Sequence, residues 1–208
     1  QFRYGVFVRM TLVTGLRLGE VVGLRWCDID FYTNMLHVNQ TLNRLQRYDD
    51  DEADSKTEIV TQTPKLQNSI RSIPMLPELV MDLQNWRTVQ MQDAAAMGTS
   101  YFDSGLIATQ ENGLYVEPRL MREYYQKMLA AANLPNYNFH ALRHTFATRA
   151  MEQGMDAKTL SILLGHYSVG FTLDTYAHVL TDQKWTAMQT MANMYNMEPP
   201  LRQPIQFF

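Results

Sequence analysis

The stretch HALRHTFATR, residues 140–149, decides the first element of the fold. Leu142, Phe146 and Ala150 recur at a helical interval and Gly154 supplies a stop, so the segment reads as a helix. His140 and Arg143 stand three apart and project from one side of it. Such a helix holds its arginine rigidly. Working outward, DAKTLSILL at 156–164 reads as a further helix, ended by Gly165, which delivers His166 at a helix end. Tyr176 then falls on a short segment bounded by Gly170 and the polar pair Thr181 and Asp182. Asp182 reads as the N-cap of a last helix with Trp185, Met188, Ala192 and Tyr195 on one face.

Toward the N-terminus, FRYGVFVRM at 2–10 begins a helical pattern that stops near Gly15, whose freedom at positive φ suits a turn exposing Arg17. A second helix follows through about Leu24, and in it Arg17 and Glu20 repeat the three-residue spacing. MLHVNQ at 35–40, EIVTQT at 58–63 and SIRSIP at 69–74 read as strands. The connection from Thr41 to Thr57 is long for a hairpin and reads as a loop insertion. Helices are expected from Pro77 to Met97 and from Glu117 to Ala132. The expected fold class is mainly α with a small antiparallel β-sheet (α+β).

Taken singly, the polar residues of these segments have plain readings. An arginine after a Thr-Gly turn is usually a solvated surface residue, and a histidine before a helix is usually a cap. Taken together and in order, TGLRLGE with Arg17, HALRHTFATR with His140 and Arg143, LLGHYS with His166 and LDTYAHV with Tyr176 resemble the tyrosine recombinases of the phage integrase family. The match runs across nearly the whole chain. The wording of 140–149 and the inserted loop are most like the integrases of conjugative transposons or phages.

The resemblance implies a site-specific recombinase that cleaves and rejoins DNA through a covalent 3′-phosphotyrosyl intermediate. A phosphodiester under attack gains charge on its non-bridging oxygens, and arginine offers a permanently protonated planar fork of donors to hold it. Arg17 and Arg143 take that role, His166 adds a hydrogen bond to the same phosphate, and Tyr176 is the nucleophile. Glu20 occupies the family's acidic position and orients its neighbours. His140 occupies the position credited with taking the tyrosine proton or positioning the phosphate, and its residue type suits either. A lysine delivering a proton to the departing 5′ oxygen is best matched by Lys65, in TPKLQNSIRSIPML, with Lys56 as competitor; Leu66 stands where the family commonly has threonine or serine. Tyr176 lies ten residues beyond His166, where nine is the commoner interval, and it carries the family's Thr-x-x-x-Tyr-x-His context, which Tyr167 lacks. His144 reads as structural, and His178 is left open.

Composition agrees with one domain. The 208 residues suffice for a single core, and no run of about 18 apolar residues offers a membrane span. The lone Cys27 excludes an internal disulfide and a cysteine-cluster zinc site, which fits a reducing cytoplasm. No metal site and no cofactor are expected, and the exchange of phosphate esters needs no ATP. The 14 methionines read as adaptable core and interface filler.

A net charge of −3 does not announce a nucleic-acid binder. Five acidic residues, Asp49, Asp50, Asp51, Glu52 and Asp54, form one block, and without it the balance turns slightly positive. That block reads as a solvated loop turned away from DNA or toward a neighbouring subunit.

The expected organisation is a catalytic domain over 1–196 with a β-insertion at about 41–57, and an extended tail over 197–208. Leu201, Ile205, Phe207 and Phe208 would let that tail dock on a neighbouring subunit. The family's usual N-terminal DNA-clamping domain is expected to precede this fragment. Implied partners are double-stranded DNA at element ends or attachment sites, a homo-tetramer on that DNA, and an excision or DNA-bending factor; no membrane is involved. The alternatives are a chromosome-dimer-resolving recombinase, a type IB topoisomerase, and a non-catalytic DNA-binding relative.

Overall fold

The computed structural model describes residues 2–46, 57–62 and 69–198. Its elements are α1 (Gly5–Thr14), α2 (Leu18–Gly23), β1 (Ile29–Asp30), β2 (Met35–Val38), β3 (Thr41–Gln46), β4 (Thr57–Gln62) and β5 (Arg71–Pro74). Then come α3 (Pro77–Met97), α4 (Pro118–Ala131), α5 (His140–Glu152), α6 (Ala157–Leu164), α7 (Val169–Thr175) and α8 (Ala177–Met194). The architecture is mainly α with small antiparallel sheets, as the sequence led us to expect.

Two sheets replace the single one expected. β1, β2 and β5 form a three-stranded antiparallel sheet in which Leu36 faces Ile73 and Val38 faces Arg71. β3 and β4 form a separate hairpin, with Thr41 opposite Gln62 and Gln46 opposite Thr57. Thr41–Gln46, read from sequence as part of the connection after β2, is therefore a strand. Its Leu42 is buried in the core, and its backbone lies directly on α2: a Cβ at Gly23 would meet the Leu42 amide nitrogen at 2.9 Å. The middle of the expected insertion, with its acidic block and Lys56, lies outside the described residues.

The main core joins α1, α2, both sheets, α3 and α4 around Phe7, Met10, Val21, Leu36, Leu79, Leu83, Ile107 and Met121. Each such side chain taken from water contributes roughly 1.5–3 kcal/mol before its entropic cost. Trp86 packs edge-on to Phe7 and gives its indole N–H to the Ile107 carbonyl at 2.6 Å, fixing α3 to the chain before α4. A smaller cluster of Ala147, Met151, Leu160, Leu164 and Tyr176 ties α5 to α6 and to the α7–α8 junction.

Helix termini follow local chemistry. α1 ends on Gly15 at φ 67°, and α6 ends on left-handed Gly165 after starting at Asp156, whose carboxylate accepts from the Lys158 and Thr159 amides. α3 starts with Pro77 in its first turn, as expected.

Two helical expectations need correction. The buried side of α5 is Leu142, Arg143, Ala147 and Met151, while Phe146 and Ala150 are only partly buried, because the arginine itself faces inward. α8 begins at Ala177 rather than after an Asp182 cap: the chain bends at Tyr176 (φ −113°, ψ 23°), and no breaker follows to delay the helix. On α8 only Ala192 of the expected face is buried; Met188 and Tyr195 are 54% and 60% exposed. The tail from residue 199 onward lies outside the described residues. No described helix is long and apolar enough to cross a membrane.

Candidate active site

Five of the seven residues singled out in the sequence converge where the α1–α2 turn, α5, the end of α6 and the α7–α8 junction meet. The turn is built by Gly15. Its positive φ lets the chain reverse, and a Cβ there would sit 2.6 Å from both Leu164 and Phe146. That close approach puts the Gly15 carbonyl against α5, where it accepts from Arg143 Nη1 at 2.7 Å. Arg143 Nη2 donates to the Leu164 carbonyl at 2.7 Å. The side chain is thus stretched between two backbone oxygens, and each terminal nitrogen keeps a second N–H for an incoming oxyanion.

Arg17 stands beside it, N-terminal to α2. It donates to the Leu164 and Gly165 carbonyls at 3.4 and 3.2 Å and to Glu20 at 3.0 Å. Its side chain remains 38% exposed, whereas Arg143 is 2% exposed. Burial first, and then the Arg17 charge, draw the Arg143 guanidinium down to about 9, with Glu20 acting against them. It is protonated at neutral pH all the same.

Glu20 is buried beneath the arginines. It accepts the Arg17 backbone N–H at 2.8 Å, closing the first turn of α2, and both of its oxygens receive Arg71. Burial alone would raise its pKa; the Arg71 hydrogen bonds and charge outweigh it, with help from Arg17, and hold the carboxyl below the usual range. Sequence reading passed over Arg71. It shares the inward face of β5 with Ile73, and an arginine in phase with a core residue was the available signal. Its Nε also donates to the Leu163 carbonyl at 2.6 Å, so it clasps α6 to the sheet.

His166 follows the Gly165 cap, 8% exposed, with Nδ1 at 2.7 Å from the buried Thr172 hydroxyl. Burial, then Arg143, Arg17, Arg71 and His140, depress it to about 4, so it is neutral at pH 7, with Nε2 its remaining nitrogen. Phe171 packs edge-on against the ring at 4.8 Å. Beside it opens a cleft of about 410 Å³ lined by Arg71, Lys158, Ser161 and Tyr167. A larger cleft of about 840 Å³, between α1 and α3, holds none of the site residues.

Tyr176 is 3% exposed, and burial raises its pKa while Arg143 opposes the rise. Its hydroxyl lies 3.2 Å from His144 Nδ1. His144, read from sequence as structural, therefore meets the tyrosine oxygen, while His140 meets the His144 ring edge-on at 4.7 Å. His140 shares the helix side of Arg143 but sits exposed at the first turn of α5. Burial and the nearby His144, Arg143 and Arg17 push its pKa below normal. Lys65 lies outside the described residues, as does the His178 side chain. No group of three or more His, Cys, Asp or Glu that could hold a metal occurs among the described residues.

The site thus gathers two anchored guanidiniums and a neutral imidazole close to a buried tyrosine, and N–H donors of this kind suit an anionic group. The chain belongs to the phage integrase family, whose model matches residues 1–183. It is 35% identical to a tyrosine recombinase XerC-like protein of Caldanaerobacter subterraneus subsp. tengcongensis over 185 residues, covering 88% of this chain and 47% of that one. It is 26% identical to the transposase from transposon Tn916 of Enterococcus faecalis over 193 residues, covering 88% and 44%. The chain thus spans about half the length of these curated relatives. Among solved structures, the Tn1549 transposon integrase in complex with transposon right end DNA superposes with a TM-score of 0.71 at 26% identity, covering 91% of this chain and 59% of that one.

Proposed function

We propose that this chain is the catalytic domain of a site-specific recombinase that cuts and rejoins double-stranded DNA through a 3′-phosphotyrosyl intermediate, integrating and excising a mobile element. The observation that carries this reading is the convergence of Arg17, Arg143, His166 and Tyr176 at the end of α6, from segments up to 159 residues apart in sequence. Arg17 and Arg143 hold the non-bridging oxygens, His166 donates to the same phosphate, and Tyr176 attacks the phosphorus. Glu20 positions Arg17, His140 positions the phosphate, and Lys65 protonates the departing 5′ oxygen. The ester energy passes into the protein–DNA bond, so rejoining by a second DNA end needs neither ATP nor metal.

The ends of a mobile element are the proposed substrate, in line with the Tn1549 integrase, solved with transposon right end DNA and with circular intermediate DNA. The proposed assembly is a homo-tetramer on DNA in the bacterial cytoplasm, with an excision or bending factor as partner. The exposed Met188 and Met191 of α8, with Tyr195 at its C-terminal cap, give a neighbouring subunit apolar surface to cover. The second reading is a chromosome-dimer-resolving recombinase; the higher identity to the XerC-like recombinase than to the transposase favours it.

The test uses the full-length protein and duplex DNA carrying its crossover site, nicked beside the cut so that the released fragment diffuses away. A covalent protein–DNA band on a denaturing gel, absent with Tyr176→Phe, is the expected result. Binding to a verified site with no covalent band would make the protein a non-catalytic relative.

A further inference from the structure

We infer that His144 is the base that takes the Tyr176 proton during strand cleavage. This rests on the reading of Tyr176 as nucleophile and deepens it.

Three observations carry the inference. His144 Nδ1 is the nitrogen that meets the reacting oxygen, at 3.2 Å, within reach of a proton transfer that tightens when DNA is bound. His144 adjoins Arg143 on α5, so one rigid helix holds both the phosphate clamp and the base against the α7–α8 junction. The His140 ring, one helical turn back, packs edge-on with the His144 ring at 4.7 Å and steadies it. A buried phenol gives up its proton reluctantly, so the nucleophile needs an acceptor already in place.

The step balances as follows. The Oη–H bond of Tyr176 breaks and an Nδ1–H bond forms on His144; Oη bonds to phosphorus as the bond from phosphorus to the 5′ oxygen breaks. The departing oxygen takes its proton from the acid, the role proposed for Lys65. In rejoining, the 5′ hydroxyl attacks and the His144 imidazolium returns its proton to the leaving phenolate.

The experiment measures single-turnover cleavage of the nicked duplex by full-length wild type, His144→Ala and His144→Gln, with DNA binding as the control for folding. Each is run on normal DNA and on DNA with sulphur in place of the bridging 5′ oxygen, whose thiolate leaves without an acid. A loss of about 100-fold in both variants on both substrates, with binding unchanged, is expected for a missing base. Wild-type rates in His144→Ala would overturn the inference. So would recovery with glutamine, which accepts a hydrogen bond but not the proton, or repair by the sulphur substrate, which would put His144 on the leaving-group side. A faster rate would mean that His144 restrains the tyrosine, again overturning it. A covalent band surviving Tyr176→Phe would instead sink the nucleophile assignment, whatever the His144 variants do.

Discussion

Arg71 reaches across 51 residues of sequence to grip both carboxylate oxygens of Glu20, at 3.0 and 2.9 Å, with side chains 3% and 1% exposed. Breaking such a pair leaves a buried charge alone, costing about 3–5 kcal/mol, while replacing both partners by apolar groups is far milder. Arg71→Met or Glu20→Leu alone should therefore lower the urea midpoint strongly. The double variant should regain most of the stability yet cleave DNA poorly, because Arg17 then lacks its carboxylate. A double variant no more stable than the singles would refute this.

The acid side of the stability profile should carry the signature of His166. Its folded value of about 4 lies below the roughly 6.5 of an unfolded histidine. Between those values the unfolded chain binds the extra proton, so stability falls as pH drops from about 6.5 to about 4. His140, shifted in the same direction, adds to that slope. Glu20, held low, keeps its contribution until more acid pH and loses it as pH falls through its folded value. Urea midpoints at pH 7.5 and 5 should differ clearly in wild type and less in His166→Gln; an equal drop in both would exclude His166 as the source.

Thr172→Val removes the hydroxyl that meets His166 Nδ1 at 2.7 Å while keeping the side-chain shape. With a neutral hydrogen bond contributing about 0.5–1.5 kcal/mol, cleavage should slow roughly tenfold while DNA binding holds. Unaltered single-turnover cleavage would show that the imidazole needs no such tether.

Gly23→Ala pushes a methyl onto the backbone of β3, 2.9 Å from the Leu42 nitrogen, and the hairpin must shift to admit it. A loss of about 1–3 kcal/mol is expected, read as a lower melting temperature. No change would mean that the hairpin docks loosely on α2.

What could be read from sequence divides by range. Pro77 at the first turn of α3, the Asp156 cap and the glycines after α1 and α6 are local signals, and the helix ends they mark came out where expected. β3 was missed because Asn43, Arg44 and Gln46 dilute the apolar alternation of TLNRLQ, and its burial comes from α2, a partner that no local window contains. The convergence of Arg17, Arg143, His166 and Tyr176 was legible because each sits in a recognisable segment. His144 was not, since what singles it out is a contact made 32 residues away; Arg71 offered only its phase with Ile73 on β5, and its partner Glu20 lies 51 residues away. Next to Arg143 in sequence, His144 points elsewhere on the helix, toward a tyrosine that only the small α5–α6 cluster brings near.

The Leu164 and Gly165 carbonyls close α6, and both face cations. A helix carries roughly half a negative charge at its C-terminus, and here that end is spent on Arg17 and Arg143 rather than on solvent. Two guanidiniums that would repel one another are thereby held together in the free protein. On the proposed function the phosphate clamp stands assembled before DNA binds, and binding energy that would go into gathering charge is left for placing the tyrosine.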